Sequence, residues 1–309
     1  MLADMPAAPT APLLSALAVV LVWGLNFPLQ KALFVEVGPI AFLGLRYLLV
    51  PFCAVALLCW RFGTRWPRLD RSEVWPLVRL TLIGQGLHLL LSAYGVDGST
   101  AFSASVLLAC GPVFTLLILR LSGLEKLSTG QIAGVVMAAT GALLFTSDKL
   151  LAADWHAGLG DLTLLAAAAL FSYYTVASKP LIQHHGGVTV LGYGSLVCTL
   201  PMLLWSAPEL AALQWQAQPA WVWAGTVWQV AGGGFIGWLA WGWANEARGV
   251  ARTAPLIYLM PLVAGLAAWA WGGETFSAPK LLGAGVILAG VALAQFSRGN
   301  GTPRPAASR

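Results

Sequence analysis

Charge is the scarcest property of this sequence. Asp, Glu, Lys and Arg together make up 9% of its 309 residues, where a soluble domain carries roughly a quarter. A chain this poor in charge cannot clothe a globule in water, which excludes a soluble enzyme or a nucleic-acid-binding module. Energy-coupling loops are missing too: there is no G-x-x-x-x-G-K-[ST] run and no Gly-Lys pair at all, so nothing can cradle the phosphates of ATP. No H-E-x-x-H or G-x-S-x-G sequence occurs, which removes the usual zinc-hydrolase and serine-hydrolase readings. Cysteine is rare and unpatterned. Cys53, Cys59, Cys110 and Cys198 lie in apolar stretches without C-x-x-C spacing, and read as packed thiols rather than zinc ligands or a disulfide framework. No metal or cofactor is expected.

What fills the chain instead is apolar: 58% hydrophobic residues and a mean hydropathy of +0.77. Stretches close to the roughly 20 residues that span a bilayer predict ten helices at 12–34, 38–60, 74–96, 99–121, 128–146, 158–179, 188–206, 219–244, 249–271 and 277–297. The first is too long, and lacks the basic start and small-residue cleavage site, to be a secretory signal, so it reads as a retained helix. Tryptophans such as Trp60, Trp66, Trp75, Trp155, Trp205 and Trp243 fall near predicted ends, as an aromatic belt requires.

Shifted by 149 residues, the chain repeats itself without a gap. Pro112 lands on Pro261, Gly123 on Gly272, Glu125 on Glu274, Ser128 on Ser277, Gly134 on Gly283 and Gly141 on Gly290. Chance likeness between two apolar stretches would match Leu to Leu; these matches fall at kinks, close-packing positions and a loop boundary. The repeat predicts two units, 1–148 and 158–297, followed by a short polar tail at 298–309. Five helices per unit is an odd number, so the second unit enters the membrane from the opposite side, giving two inverted repeats. Charge supports this independently. Thirteen Lys and Arg, among them Arg61, Arg71, Arg120, Arg248 and Arg252, fall on one predicted side; Lys31, Lys149 and Lys280 fall on the other, and Arg46 lies inside a helix. The positive-inside bias predicts both termini in the cytoplasm. The sequon at Asn300 falls in that tail and carries little meaning.

The run from Ser103 to Leu144, with Pro112, the Glu125-Lys126-Leu127-Ser128 loop, Gly134 and Gly141, resembles the EamA repeat of the drug/metabolite transporter superfamily. Trp23-Gly24, Asn26-Phe27 and Arg46 fit the same pattern, whereas the second unit carries Leu170-Phe171 and about Gly194 there, so roles tied to those motifs belong to the first unit. The resemblance covers nearly the whole chain and implies an all-α membrane fold of two inverted five-helix repeats around a central cavity. Length and tryptophan content are similar to the YddG-type exporters of aromatic amino acids. Small multidrug-resistance relatives bind cations through a glutamate in helix 1; helix 1 here contains no acid, which argues against export of cationic drugs.

Candidate substrate contacts come from polar stripes, since a polar side chain in a membrane helix faces protein or water rather than lipid. Thr81, Gln85, His88 and Ser92 recur at steps of four, three and four, one face of helix 3. Trp23, Asn26 and Gln30 form a similar stripe on helix 1 around Pro28, which removes a backbone donor. Tyr173 and Tyr174 in helix 6, Trp228 and Gln229 before Gly232-Gly233-Gly234 in helix 8, and Tyr258 in helix 9 could wall a planar ring. Each of these groups also suits helix-to-helix bonding or core packing. Pro112 and Pro261 predict symmetric kinks, and with Pro28 they are the candidate gating points.

Two ionisable groups leave alternatives open. Arg46 either binds a substrate carboxylate or holds the scaffold through carbonyls, and the family position favours the scaffold. His88 bonds a substrate, titrates during transport or satisfies a neighbour. His184 and His185 have no companion ligands nearby in sequence and read as solvated. An intramembrane aspartyl protease is suggested by Gly158-Leu159-Gly160-Asp161, but that chemistry needs a second buried aspartate, and no other predicted span holds one in its interior; Asp161 reads as a helix cap. The expected function is therefore a secondary transporter of the cell inner (plasma) membrane, not an enzyme. It exports neutral, preferentially aromatic, amino acids without ATP, needs no oligomer and has the bilayer and a small molecule as its partners. The alternative is an exporter of another small metabolite or organic drug, with proton coupling an option.

Overall fold

A computed structural model describes residues 10–99, 101–124, 127–145, 159–272 and 277–297. Among them the chain forms ten helices. The first five are α1 (Thr10–Val37), α2 (Pro39–Phe62), α3 (Arg71–Asp97), α4 (Ala101–Leu108 continued by Gly111–Ser122) and α5 (Thr129–Phe145). The second five are α6 (Leu159–His185), α7 (Gly187–Ala212), α8 (Ala220–Val227, Trp228–Ile236 and Gly237–Arg248), α9 (Val250–Thr253, Ala254–Leu259 and Met260–Gly272) and α10 (Ala278–Phe296). Seven helices are long and apolar enough to cross a membrane, and apolar stretches of α5 and α10 add two shorter ones. Helices satisfy every backbone N–H and C=O within the segment itself, which hydrocarbon requires because it offers no partner for an open one. Phe52, Leu204, Leu121 and Phe296 stay more than 60% exposed, as lipid-facing side chains should.

The neighbours reveal the two-fold relation. α2 packs on α7 and α5 on α10, each helix against its own repeat mate; α3 and α4 pack on α6 as α8 and α9 pack on α1. Between α5 and α10 the backbones nearly touch. A methyl group on Gly134 would stand 2.7 Å from the carbonyl oxygen of Gly290, and one on Gly141 would stand 2.9 Å from that of Gly283. The four glycines of the sequence repeat are thus each other's contacts, and only the missing side chains permit the approach. Single glycines turn the chain between α1 and α2 and between α6 and α7: Gly38 and Gly186 adopt φ 78° and 80°, a region other residues enter only with strain.

The repeat also extends to the irregularities. In α3 the turns widen to π geometry over Leu82–Leu87, and in α8 over Trp228–Ile236; Leu82 and Leu87 shifted by 149 fall on Ala231 and Ile236. α4 is interrupted at Ala109 and Cys110 just before Pro112, and α9 tightens to 3-10 geometry over Ala254–Leu259 just before Pro261. Pro28 lies within α1. Hydropathy predicts only plain helices here; the glycines at 84, 86 and 232–234 are the local signal for the π segments.

Arg61, Arg71, Arg120, Arg248 and Arg252 all fall at the ends of helices that meet one face of the bundle, the basic face. At the other face Lys31 donates from Nζ to the carbonyls of Val96, Asp97 and Ser99, each at 2.8 Å, and so caps the C-terminus of α3. Ser99 in turn donates to Asp161 Oδ1 at 2.8 Å, which ties Asp161, in the first turn of α6, to the end of α3 as well. The exposed tryptophans Trp60, Trp75 and Trp205 lie near helix ends. All four cysteines are free thiols; Cys198 is buried while Cys59 is exposed. Lys126, Lys149, Trp155 and the segment 298–309 lie outside the described residues.

Candidate functional site

Trp23, Asn26, Phe27 and Gln30 follow the i, i+3, i+4, i+7 spacing that puts them on one face of α1. Opposite them stand Phe42 and Arg46 of α2, His88 and Ser92 of α3, Phe171 of α6, and Gln229, Gly233 and Trp238 of α8. Together with residues of α4 and α9 they enclose a cavity of about 130 Å³. Along each helix these residues lie in the middle or in the half remote from the basic face.

One wall is a hydrogen-bonded seam between α1 and α8. The indole N–H of Trp23 donates to Gly233 O at 2.8 Å, that of Trp228 to Asn26 Oδ1 at 2.9 Å, and Gln229 Nε2 to Asn26 O at 3.2 Å. The π segment brings Gly233 against Asn26, where any side chain would collide with the amide. These polar groups therefore bond helices and line a cavity at once.

The floor is aromatic. Trp23 meets Phe171 edge-on at 5.5 Å and Trp241 at 5.5 Å; Phe171 meets Trp238 at 5.6 Å, and Tyr174 meets Trp238 at 4.7 Å. Beyond this layer, towards the basic face, lies a second cavity of about 30 Å³ lined by Tyr174, Thr175, Lys179, Asn245 and Glu246 among others. A third, of about 20 Å³, sits between Arg46, Gln85, Ser195 and Trp238. Trp238 borders all three.

Two cationic or basic groups face the main cavity. Arg46 lies 5.8 Å from the centre of the Phe42 ring, and its buried Nε has no hydrogen-bond partner; among the described residues no acidic one lines the cavity with it. His88 is held by Nδ1 at 2.9 Å from Ala167 O, with Phe171 at 5.3 Å. A carbonyl only accepts, so Nδ1 carries the proton of that bond and Nε2 of the neutral ring is left as an acceptor. Ser92 Oγ is buried and unpartnered.

Of the residues expected from sequence, Trp23, Asn26, His88, Ser92 and Gln229 line the main cavity. Gln85 borders the smallest one, bonded to Ser195 Oγ at 3.3 Å, and Tyr174 borders the second. Thr81 is buried and donates to Leu77 O within its own helix. Trp228 is half exposed beyond its bond to Asn26, Tyr173 packs in a small cluster near Leu77 and Leu80, and Tyr258 is 1% exposed in the main core. Phe171, Trp238 and Phe42 are wall residues that polar stripes cannot reveal; mid-helix position was the available signal for Trp238. His184 and His185 are not simply solvated, for Glu73 of α3 meets both.

The pattern of the EamA-like transporter family matches residues 10–147 and again 158–296. A relative in Streptantibioticus cattleyicolor, described as a probable terminal-alkyne amino-acid exporter, is 30% identical over 89% of this chain and 90% of its own. A probable amino-acid metabolite efflux pump of Salmonella typhimurium is 29% identical over 91% and 93%. One crystal structure superposes with a TM-score of 0.68 at 19% identity, over 93% of this chain and 98% of that one, a likeness of fold alone.

Proposed function

The chain belongs to the EamA-like transporter family, a multi-pass membrane transporter of small molecules, and from that premise we propose that it exports neutral amino acids, aromatic ones by preference, by alternating access without ATP. The observation that carries the reading is the pairing, in one cavity, of an Arg46 guanidinium, beside which no acidic residue stands among the described residues, with the aromatic layer of Trp23, Phe171 and Trp238. The fork of an arginine matches a carboxylate. His88 Nε2 offers an acceptor to the ammonium group, and the rings offer their faces to an apolar or aromatic side chain. The amino-acid export ascribed to the Streptantibioticus and Salmonella relatives supports the same substrate class.

In this reading the aromatic layer is the barrier between the two access routes, and the repeat-equivalent π segments of α3 and α8 are where the helices flex. The membrane is the cell inner (plasma) membrane, the basic face is cytoplasmic, and the repeat units are 1–148 and 158–297 with a cytoplasmic tail. His88 acts as a neutral hydrogen-bonding group, so transport follows the substrate gradient. Counterflow into proteoliposomes with a panel of amino acids, with and without a pH gradient, tests this. Exchange of phenylalanine and other neutral amino acids, indifferent to the proton gradient, is the expected result. Exchange confined to cationic substrates, or strictly dependent on the pH gradient, refutes it.

A further inference from the structure

At the basic face, far from the cavity, the last turn of α6 meets the first turn of α3. His185 Nε2 lies 2.9 Å and His184 Nε2 3.5 Å from the same oxygen, Oε1 of Glu73. The two imidazoles are not stacked, with centres 4.4 Å and planes 85° apart, and it is their Nε2 atoms that converge on the one oxygen. All three donor atoms lie within 4.8 Å of one another. Ligands held about 2.1 Å from a tetrahedral ion stand about 3.4 Å apart, close to the two N···O spacings of 2.9 and 3.5 Å already present. From this geometry we propose that Glu73, His184 and His185 form a binding site for a divalent transition metal of the zinc class, bridging the start of α3 to the end of α6.

The surroundings suit that role. Glu73 Oε2 accepts the backbone N–H of Asp70 at 3.0 Å in a capping box, which orients the carboxylate and leaves Oε1 for the histidines, as an outer hydrogen bond does for a metal ligand. The side chain of His185 is 11% exposed and fixes the inner edge; that of His184 is 72% exposed, giving an ion access and leaving water to complete its coordination. Two imidazoles and one carboxylate suit zinc and neighbouring metals, whereas calcium and magnesium prefer all-oxygen sites. A plain ion pair between the helices would need only His185 and Glu73, so His184 is the residue that separates the two accounts.

Titrating ZnCl2 into tag-free, detergent-solubilised protein by calorimetry tests the site, with CaCl2 and MgCl2 as parallel arms. One saturable Zn2+ per chain is expected, weakened at least about tenfold both in His184→Ala and in Glu73→Gln. Both variants keep the fold: His184 is exposed, and glutamine serves in a capping box as glutamate does. Absence of saturable Zn2+ binding, an affinity unchanged in either variant, or equal affinity for Ca2+ overturns the proposal.

Discussion

Trp23 and Gly233 stand 210 residues apart, yet the indole N–H of one bonds the backbone carbonyl of the other at 2.8 Å and so fastens α1 of the first repeat to the π segment of the second. Trp23→Phe keeps a ring against Phe171 and removes the donor, leaving a carbonyl without its partner at a part-buried position. A loss of about 1–3 kcal/mol is expected. Denaturant unfolding of the solubilised protein measures it, and stability equal to wild type would show the bond to be dispensable.

Arg46 should separate stability from transport. A half-buried guanidinium whose inner Nε is buried without a hydrogen bond costs the fold more than an apolar side chain of similar length. Arg46→Met is therefore expected to unfold no more easily than wild type while amino-acid counterflow falls to background. Arg46→Lys keeps the charge but not the fork, and a rise in KM of about tenfold is expected, equivalent to about 1.4 kcal/mol of binding. A marked loss of stability in Arg46→Met would assign this residue to the scaffold.

Trp238 borders the main cavity, the cavity towards the basic face and the small one beside Gln85 and Ser195. Its ring is the one side chain common to all three linings, so its removal in Trp238→Ala should join these spaces. The expected outcome is a leak: substrate efflux from preloaded proteoliposomes that no longer needs exchange substrate on the other side. Tight exchange persisting in the variant would place the barrier elsewhere.

The seam between α5 and α10 predicts a contrast between two glycines. Gly134→Ala puts a methyl group 2.7 Å from Gly290 O and 2.5 Å from Ala294 N, both backbone atoms that cannot swing aside, whereas Gly285 has nothing within 4 Å of its would-be methyl. Gly285→Ala should be neutral or stabilise by up to about 1 kcal/mol through helix propensity. Gly134→Ala should destabilise by about 1–3 kcal/mol, the usual range for overpacking. Thermal unfolding in one detergent compares them directly, and equal melting temperatures would mean that the helices separate at little cost.

The sequence by itself determined the solvent, the helices and the symmetry. Hydrocarbon permits few backbone forms, so 58% apolar composition and span lengths lead directly to α1 through α10, and the shift of 149 together with five helices per unit already implies the inversion, though not that Gly134 meets Gly290 rather than its aligned mate Gly283. It also placed Trp23, Asn26, His88, Ser92 and Gln229 on inward faces, because a polar group among lipid-facing neighbours has nowhere else to go. Only the tertiary structure decided which of the inward groups share a space. Gln85 and Ser92 lie on one stripe of α3 and border different cavities, Phe171 has no polar atom and Trp238 belongs to no polar stripe that would mark its wall position, and Glu73 reaches His185 across 112 residues of chain. Burial is written into local pattern because every residue meets the same solvent. Partnership is not, because it depends on how helices distant in sequence are rotated and set against one another.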